Sequence, residues 1–235
     1  MKKLDFNKIL DLVYVDKCAL CRKPCSDILC PDCLKNLKVL SSFCCPKCGK
    51  PLGSCICSDI SPKFERCISA FCFENTAVSA LIYKFKYSGN KKIGNMFANK
   101  LADRVFTEFS SVKFDYVTYV PASALDVARK GFDHARLIAK NISGLINVPF
   151  VNPPIKKKGF IKQKHQNLKY RQKNASKRFS LRLKQHIFGT VLLVDDVVTS
   201  GGTINTCSAL LKAAGADKVY CISVATSEKK QKKSD

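Results

Sequence analysis

Apolar and polar residues recur along the chain with two periods, and each period marks a kind of element. Cys67 to Phe73 is almost continuously apolar or small, as a strand covered on both faces requires. Thr76 to Lys86 and Ile93 to Phe109 carry apolar residues at helical spacing, and Tyr87-Ser88-Gly89-Asn90 between them reads as a turn. Tyr116 to Val120 predicts a strand ending at Pro121, His134 to Leu145 a helix, and Val148 to Val151 a short strand. Val191 to Val194 predicts a buried strand. An amphipathic helix over Ile204 to Ala214 follows, closed by Gly215, and then a last strand over Lys218 to Ala225. Strands alternating with helices predict an α/β fold with a doubly wound parallel sheet, which places ligands at the carboxyl ends of its strands. Between Asn152 and Arg178 the pattern lapses into basic and polar residues with few apolar anchors. That stretch is either a lid that closes over a ligand or an ordinary solvated loop.

Before residue 60 the dominant pattern is cysteine. Fourteen cysteines occur in 235 residues, and ten lie between Cys18 and Cys57. Met1 to Asp16 alternates charged and apolar residues, and no apolar run approaches the roughly eighteen residues of a membrane span. The chain is therefore expected to be cytoplasmic, where disulfides are disfavoured and metal is the better reading of paired cysteines. Cys18-x2-Cys21, Cys30-x2-Cys33 and Cys45-x2-Cys48 each have knuckle spacing, and Cys55-x-Cys57 completes the set. Eight thiolates make two tetrahedral Zn²⁺ sites, most simply Cys18, Cys21, Cys30 and Cys33, and then Cys45, Cys48, Cys55 and Cys57. Spacing alone also allows a cross-braced arrangement, or Cys25 or Cys44 as a ligand. Cys67, Cys72, Cys207 and Cys221 lie in apolar segments and read as core residues. Ser58 to Pro62 is the natural boundary. It gives a metal-dependent module over 1–62, whose loss is expected to spare the rest, a main domain over 63–227, and a disordered charged tail over 228–235.

Net charge changes the picture of partners. Forty-one Lys and Arg against 18 Asp and Glu give +23, which favours polyanions through counterion release. A lysine-rich, tryptophan-free composition accounts for the same charge without a specific partner, so charge leaves single-stranded DNA as one of two readings.

The most specific chemistry lies in Val191-Leu192-Leu193-Val194-Asp195-Asp196-Val197-Val198-Thr199-Ser200-Gly201-Gly202-Thr203. A strand, two carboxylates, a hydroxyl- and glycine-rich loop and a helix start form a phosphate site, since free N–H groups and the helix dipole both favour anions. Asp195 and Asp196 would repel a bare phosphate, so they suit a ligand carrying ribose hydroxyls or a metal beside it.

These thirteen positions resemble, one by one, the signature of type I phosphoribosyltransferases, which bind 5-phosphoribosyl-1-pyrophosphate (PRPP). With the cysteine module ahead of it, the chain is similar to the ComF family, named for bacterial competence proteins. Further likenesses are Phe85-Lys86-Tyr87-x-Gly89, Gly131-Phe132-Asp133-His134-Ala135 where the family has Gly-Phe-Asn-Gln-Ala, and Arg171-x2-Asn174-x4-Phe179 with Gln163 upstream. The resemblance implies a type I phosphoribosyltransferase sheet behind a double zinc ribbon. It assigns Asp195 and Asp196 to the ribose hydroxyls, and Thr199, Ser200, Gly201, Gly202 and Thr203 to the 5′-phosphate. Mg²⁺ would accompany PRPP. Where the family has an Arg-rich pyrophosphate loop after the Val-Pro strand end, this chain has Ala122 to Ala128 with an added acid, Asp126. Arg129, Lys130 and the region of Arg171 are left to bind pyrophosphate.

Two functions follow from the resemblance. In the first, a transferase working through Asp195, Asp196 and Arg171 lets a nucleophile displace pyrophosphate from C1′ of PRPP. In the second, a non-catalytic protein senses PRPP or a nucleotide and holds single-stranded DNA or a helicase-like partner. Either implies a role in DNA uptake, and neither identifies the acceptor.

Overall fold

The structure, a computed structural model, describes residues 16–40, 44–158, 178–182 and 186–228. Its central sheet is built from the apolar runs: β1 (Cys67–Cys72), β2 (Tyr116–Tyr119), β5 (Thr190–Val198) and β6 (Lys218–Thr226), all parallel, in the order β1-β6-β5-β2. A separate antiparallel pair, β3 (Ile155–Lys157) and β4 (Phe179–Leu181), stands apart from it.

Side chains of period two divide the core between the two faces. Leu192 and Val194 of β5 join Ile222 and Val224 of β6 against helices α1 (Thr76–Tyr87), α2 (Lys91–Glu108) and α4 (His134–Leu145). Val191 and Leu193, with Val219 and Cys221, face Ile204, Cys207 and Leu211 of helix α5 (Gly202–Ala213). Cys67 and Cys72 bound β1, and with Cys207 and Cys221 they are buried as expected. Asn75, Asn90 and Asp133 cap α1, α2 and α4 by accepting a first-turn N–H.

Four features depart from the pattern reading. A helix, α3 (Ala124–Lys130), follows the end of β2, started by Ser123, which accepts the N–H of Asp126. The expected strand at 148–151 reduces to one bridge, Phe150 to Val117, because Pro149 has no N–H to extend a ladder and Pro153-Pro154 follow. β5 runs on past Val194: pairing with β2 stops there, but pairing with β6 continues through Asp195 to Val198. Glu228, the first residue of the expected tail, is tied down: its carboxylate accepts from Lys38 at 3.2 Å and its N–H donates to Glu74 at 2.8 Å. Residues 229–235 lie outside the described residues, as does most of the basic stretch, 159–177.

The cysteine segment does not sit apart. Leu40 donates to Ala70 and Cys72 to Lys38, so residues 38–40 line the free edge of β1. Cys18, Leu29, Cys30 and Leu37 join the core under α1 and α2, whereas Cys45, Cys48, Ile56 and Ile60 join the core on the α5 face. The segment straddles the sheet. Among the described residues, no helix is long and apolar enough to cross a membrane.

Candidate functional site

β5 carries Asp195 and Asp196 just past the point where its pairing with β2 ends, and as successive strand residues they point to opposite faces of the sheet. The two acids are not equivalent. Asp195 is buried, and its burial, followed by the charge of Asp196, raises its carboxyl to about 8. Asp196 is partly exposed and pairs with Lys86 of α1 at 2.5 Å. Burial acts to lower the Lys86 ammonium, but Asp196 more than offsets it and holds the ammonium above its ordinary value.

The sign of the Asp195 shift gives a test. A carboxyl raised in the folded state contributes stability below its ordinary value of 3.8, and that contribution is lost as pH rises through about 8. Asp195→Asn removes this dependence. The variant's thermal midpoint is expected to gain on the wild type between about pH 4 and about pH 8 and to level off above that. A difference that stays constant over that range would show that Asp195 is not held protonated by the fold.

After Val198 the chain turns through Thr199 and Ser200 to Gly201, which adopts φ +71 and opens α5 without any side-chain cap. A Cβ at Gly201 would meet Ile56 Cδ1 at 2.4 Å, so only glycine lets the loop lie on the cysteine segment. Ser200, Gly201 and Gly202 are buried while Thr199 and Thr203 are exposed. The five predicted phosphate residues thus form one turn leading directly from the acids into an uncapped helix start, with its free N–H groups.

The other predicted ligand residues are placed differently. Arg129, in the last turn of α3, pairs with Asp126 at 3.2 Å, and Lys130, which ends the helix, lies over the Tyr87 ring at 5.7 Å. Asp126 also takes Lys157 of β3 at 3.3 Å and the Ser123 hydroxyl at 2.8 Å. Burial acts to raise the Asp126 carboxyl, but Ser123 and Lys157 outweigh it and hold it low. Arg171 lies outside the described residues.

Three residues beside the acids were not singled out from sequence as site residues. Lys86 sits inside a motif that was recognised without a role. Lys157, one of three successive lysines with nothing to distinguish it, acts electrostatically on Asp195. His134 is 5% exposed, packs between Phe85 at 4.9 Å and Phe132 at 4.3 Å, and has an Nε2 without a hydrogen-bond partner. Burial, then Lys130, lowers its pKa, while Asp196 acts in the opposite sense.

The cysteines form two groups, Cys18, Cys21, Cys30 and Cys33, then Cys45, Cys48, Cys55 and Cys57, each with all its sulfurs within 4.8 Å of one another. Sγ separations of 3.6 Å (Cys21–Cys30), 3.7 Å (Cys45–Cys57) and 3.8 Å (Cys48–Cys55) suit one tetrahedral ion per group. Four thiolates about 2.3 Å from a zinc lie about 3.8 Å apart, whereas a disulfide needs about 2.05 Å. Burial raises the Cys18 and Cys45 thiols, yet backbone N–H groups outweigh it and bring them to about 6 and about 7, favouring thiolate. Cys25, whose thiol donates to the Asp27 carbonyl at 3.0 Å, and Cys44 stand outside both groups.

Residues 91–235 match the family model described as the phosphoribosyl transferase domain. Competence protein F of Haemophilus influenzae is 28% identical over 204 residues, spanning 81% of this chain and 87% of that protein. The DNA utilization protein YhgH of Salmonella typhi is 26% identical over 219 residues, spanning 87% and 95%. Competence protein ComFC of Streptococcus pneumoniae is 26% identical over 235 residues, spanning 94% and 93%. With its paired acids, glycine turn and two cysteine groups, the chain belongs to the phosphoribosyl transferase domain family and, within it, to the ComF proteins.

Proposed function

We propose that this chain binds PRPP with Mg²⁺ at the carboxyl end of β5 and transfers its phosphoribosyl group to a nitrogen acceptor during the handling of incoming DNA. The observation that carries this reading is the unbroken path from Asp195 and Asp196 through Gly201 into the uncapped start of α5. A ligand with adjacent hydroxyls and a phosphate borne on the second carbon beyond them matches that order of acceptors and donors. Asp195 and Asp196 would accept from the ribose hydroxyls, and the turn 199–203 would donate to the 5′-phosphate. Lys86 and Lys157, together with Arg129 and Lys130, supply cationic charge near where pyrophosphate departs. Mg²⁺ bound with PRPP would offset part of the leaving group's charge. Arg171 is proposed to assist from the basic stretch, which also supports contact with single-stranded DNA or a helicase-like partner. Structural Zn²⁺ at both cysteine groups completes the reading, supported by the sulfur spacing.

A second reading, PRPP binding without turnover, is favoured by one observation. Asp126 engages both Arg129 and Lys157, cations that a pyrophosphate would otherwise take. One assay separates the two: PRPP consumption and pyrophosphate release, with nucleobases, ammonia and single-stranded DNA as acceptors. The transferase is expected to release pyrophosphate only when an acceptor is present. Binding with no release on any acceptor would establish the sensor, and no PRPP binding would overturn both.

A further inference from the structure

Lys50 is among the largest fully buried side chains of the described residues, 1% exposed, and it belongs to the cysteine segment rather than to the sheet. Its ammonium donates to the Thr199 carbonyl at 2.9 Å, the Thr226 hydroxyl at 3.3 Å and the Ser227 carbonyl at 2.5 Å. All three donors are used, every acceptor is a neutral oxygen, and no carboxylate is among them. Hydrogen bonds to neutral oxygens offset only part of the cost of burying a cation without a carboxylate partner.

Thr199 is the first residue of the turn that leaves β5. A trans peptide directs its C=O and the next N–H to opposite sides, so fixing the Thr199 carbonyl on Lys50 turns the Ser200 N–H to the opposite side of the turn. The neighbouring contacts fix the same turn. Ile56 and Ile60 lie beneath Gly201, and Asn205 of α5 donates to the Ile60 carbonyl and accepts the Lys63 N–H, both at 2.7 Å. Lys50 itself is placed by its knuckle: Cys45 donates to the Lys50 carbonyl at 2.7 Å, and Gly49 adopts φ +67 where a Cβ would strike the Cys67 carbonyl.

We propose that Lys50 is a positioning residue that sets the backbone of turn 199–203 from below, so that the second cysteine knuckle is a floor of the phosphate site. The role rests on the reading of that turn as the 5′-phosphate site, but the ordering of the turn is independent of which ligand it takes.

The test is Lys50→Met, which keeps the apolar stem and removes three donors, read by amide exchange, metal content and calorimetry with PRPP–Mg²⁺ and with ribose 5-phosphate. Exchange at residues 199–203 is expected to quicken while β5 and β6 upstream keep their protection and the metal content stays at the wild-type level. Affinity for both phosphate ligands is expected to fall about tenfold or more, the scale of losing charge-assisted positioning bonds. Unchanged exchange at 199–203 would overturn the proposal, as would protection lost across the whole sheet, which marks a purely structural residue. Wild-type protein that binds neither ligand would sink the PRPP reading, while the exchange data still decide the role of Lys50. Should Lys50→Met not yield folded protein, Lys50→Gln removes the ammonium and leaves an amide on a shorter stem, with the bond from Thr226 to the Val198 carbonyl untouched. The same local quickening and a several-fold loss of affinity are then expected, and wild-type behaviour in both would overturn the proposal.

Discussion

Replacing Asp195 and Asp196 together with Asn is expected to weaken PRPP binding about a hundredfold or more, since each charge-assisted bond contributes roughly 1.5–3 kcal/mol. The two positions should not contribute alike. Asp195 is raised to about 8, so near neutral pH the pair holds less than two full charges, and its titration belongs to both groups. Asp195→Asn alone therefore removes little charge at neutral pH and lifts a desolvation penalty, so the fold should hold or gain stability. Asp196→Asn alone leaves Lys86 facing an amide at 2.5 Å and should cost both affinity and stability. Calorimetry with PRPP–Mg²⁺, read beside thermal melts, separates these effects. A double variant that is folded and binds like the wild type would remove Asp195 and Asp196 from the ligand site.

Much of this site was legible because its chemistry is local. The acids, the glycine turn and the helix start are consecutive, and both cysteine groups are built from near neighbours. The sheet was legible for the same reason, since strands buried on both faces must be apolar, as Val191 to Val194 of β5 are. Helix α3 was legible in principle: Ser123 and Asp126 stand at N-cap and third helical position, a start signal outweighed by the expectation of a basic loop. Contacts distant in sequence were not legible. Nothing near Lys50 indicates a bond to Thr199, 149 residues away, and nothing near Lys157 indicates Asp126 or Asp195. The β3–β4 pair escaped because Ile155 and Phe179 are isolated apolar anchors on either side of a long basic stretch.

The straddling of the sheet by the cysteine segment changes what metal removal should do. A separate ribbon would unfold alone and leave the main domain intact, as the sequence suggests. In the structure Cys18 and Cys30 belong to the core on one face, while Cys45, Cys48, Ile56 and Ile60 belong to the core on the other. Freshly reduced protein is expected to carry close to two equivalents of zinc, and a strong chelator should lower the melting of the whole chain in one transition. Structural zinc contributes about 10–16 kcal/mol in small zinc-finger peptides, comparable with the whole stability of a domain, so the shift should be large. Cys21→Ser and Cys55→Ser divide the effect between the sites: each should cost one equivalent of metal and lower the melt. Only Cys55→Ser should also quicken exchange at 199–203, because only the second group carries Lys50 and Ile56 under that turn. Metal below half an equivalent would rule out zinc at these clusters. A sheet that melts unchanged after chelation would show that the cysteine segment, despite its contacts with both cores, adds nothing to their stability.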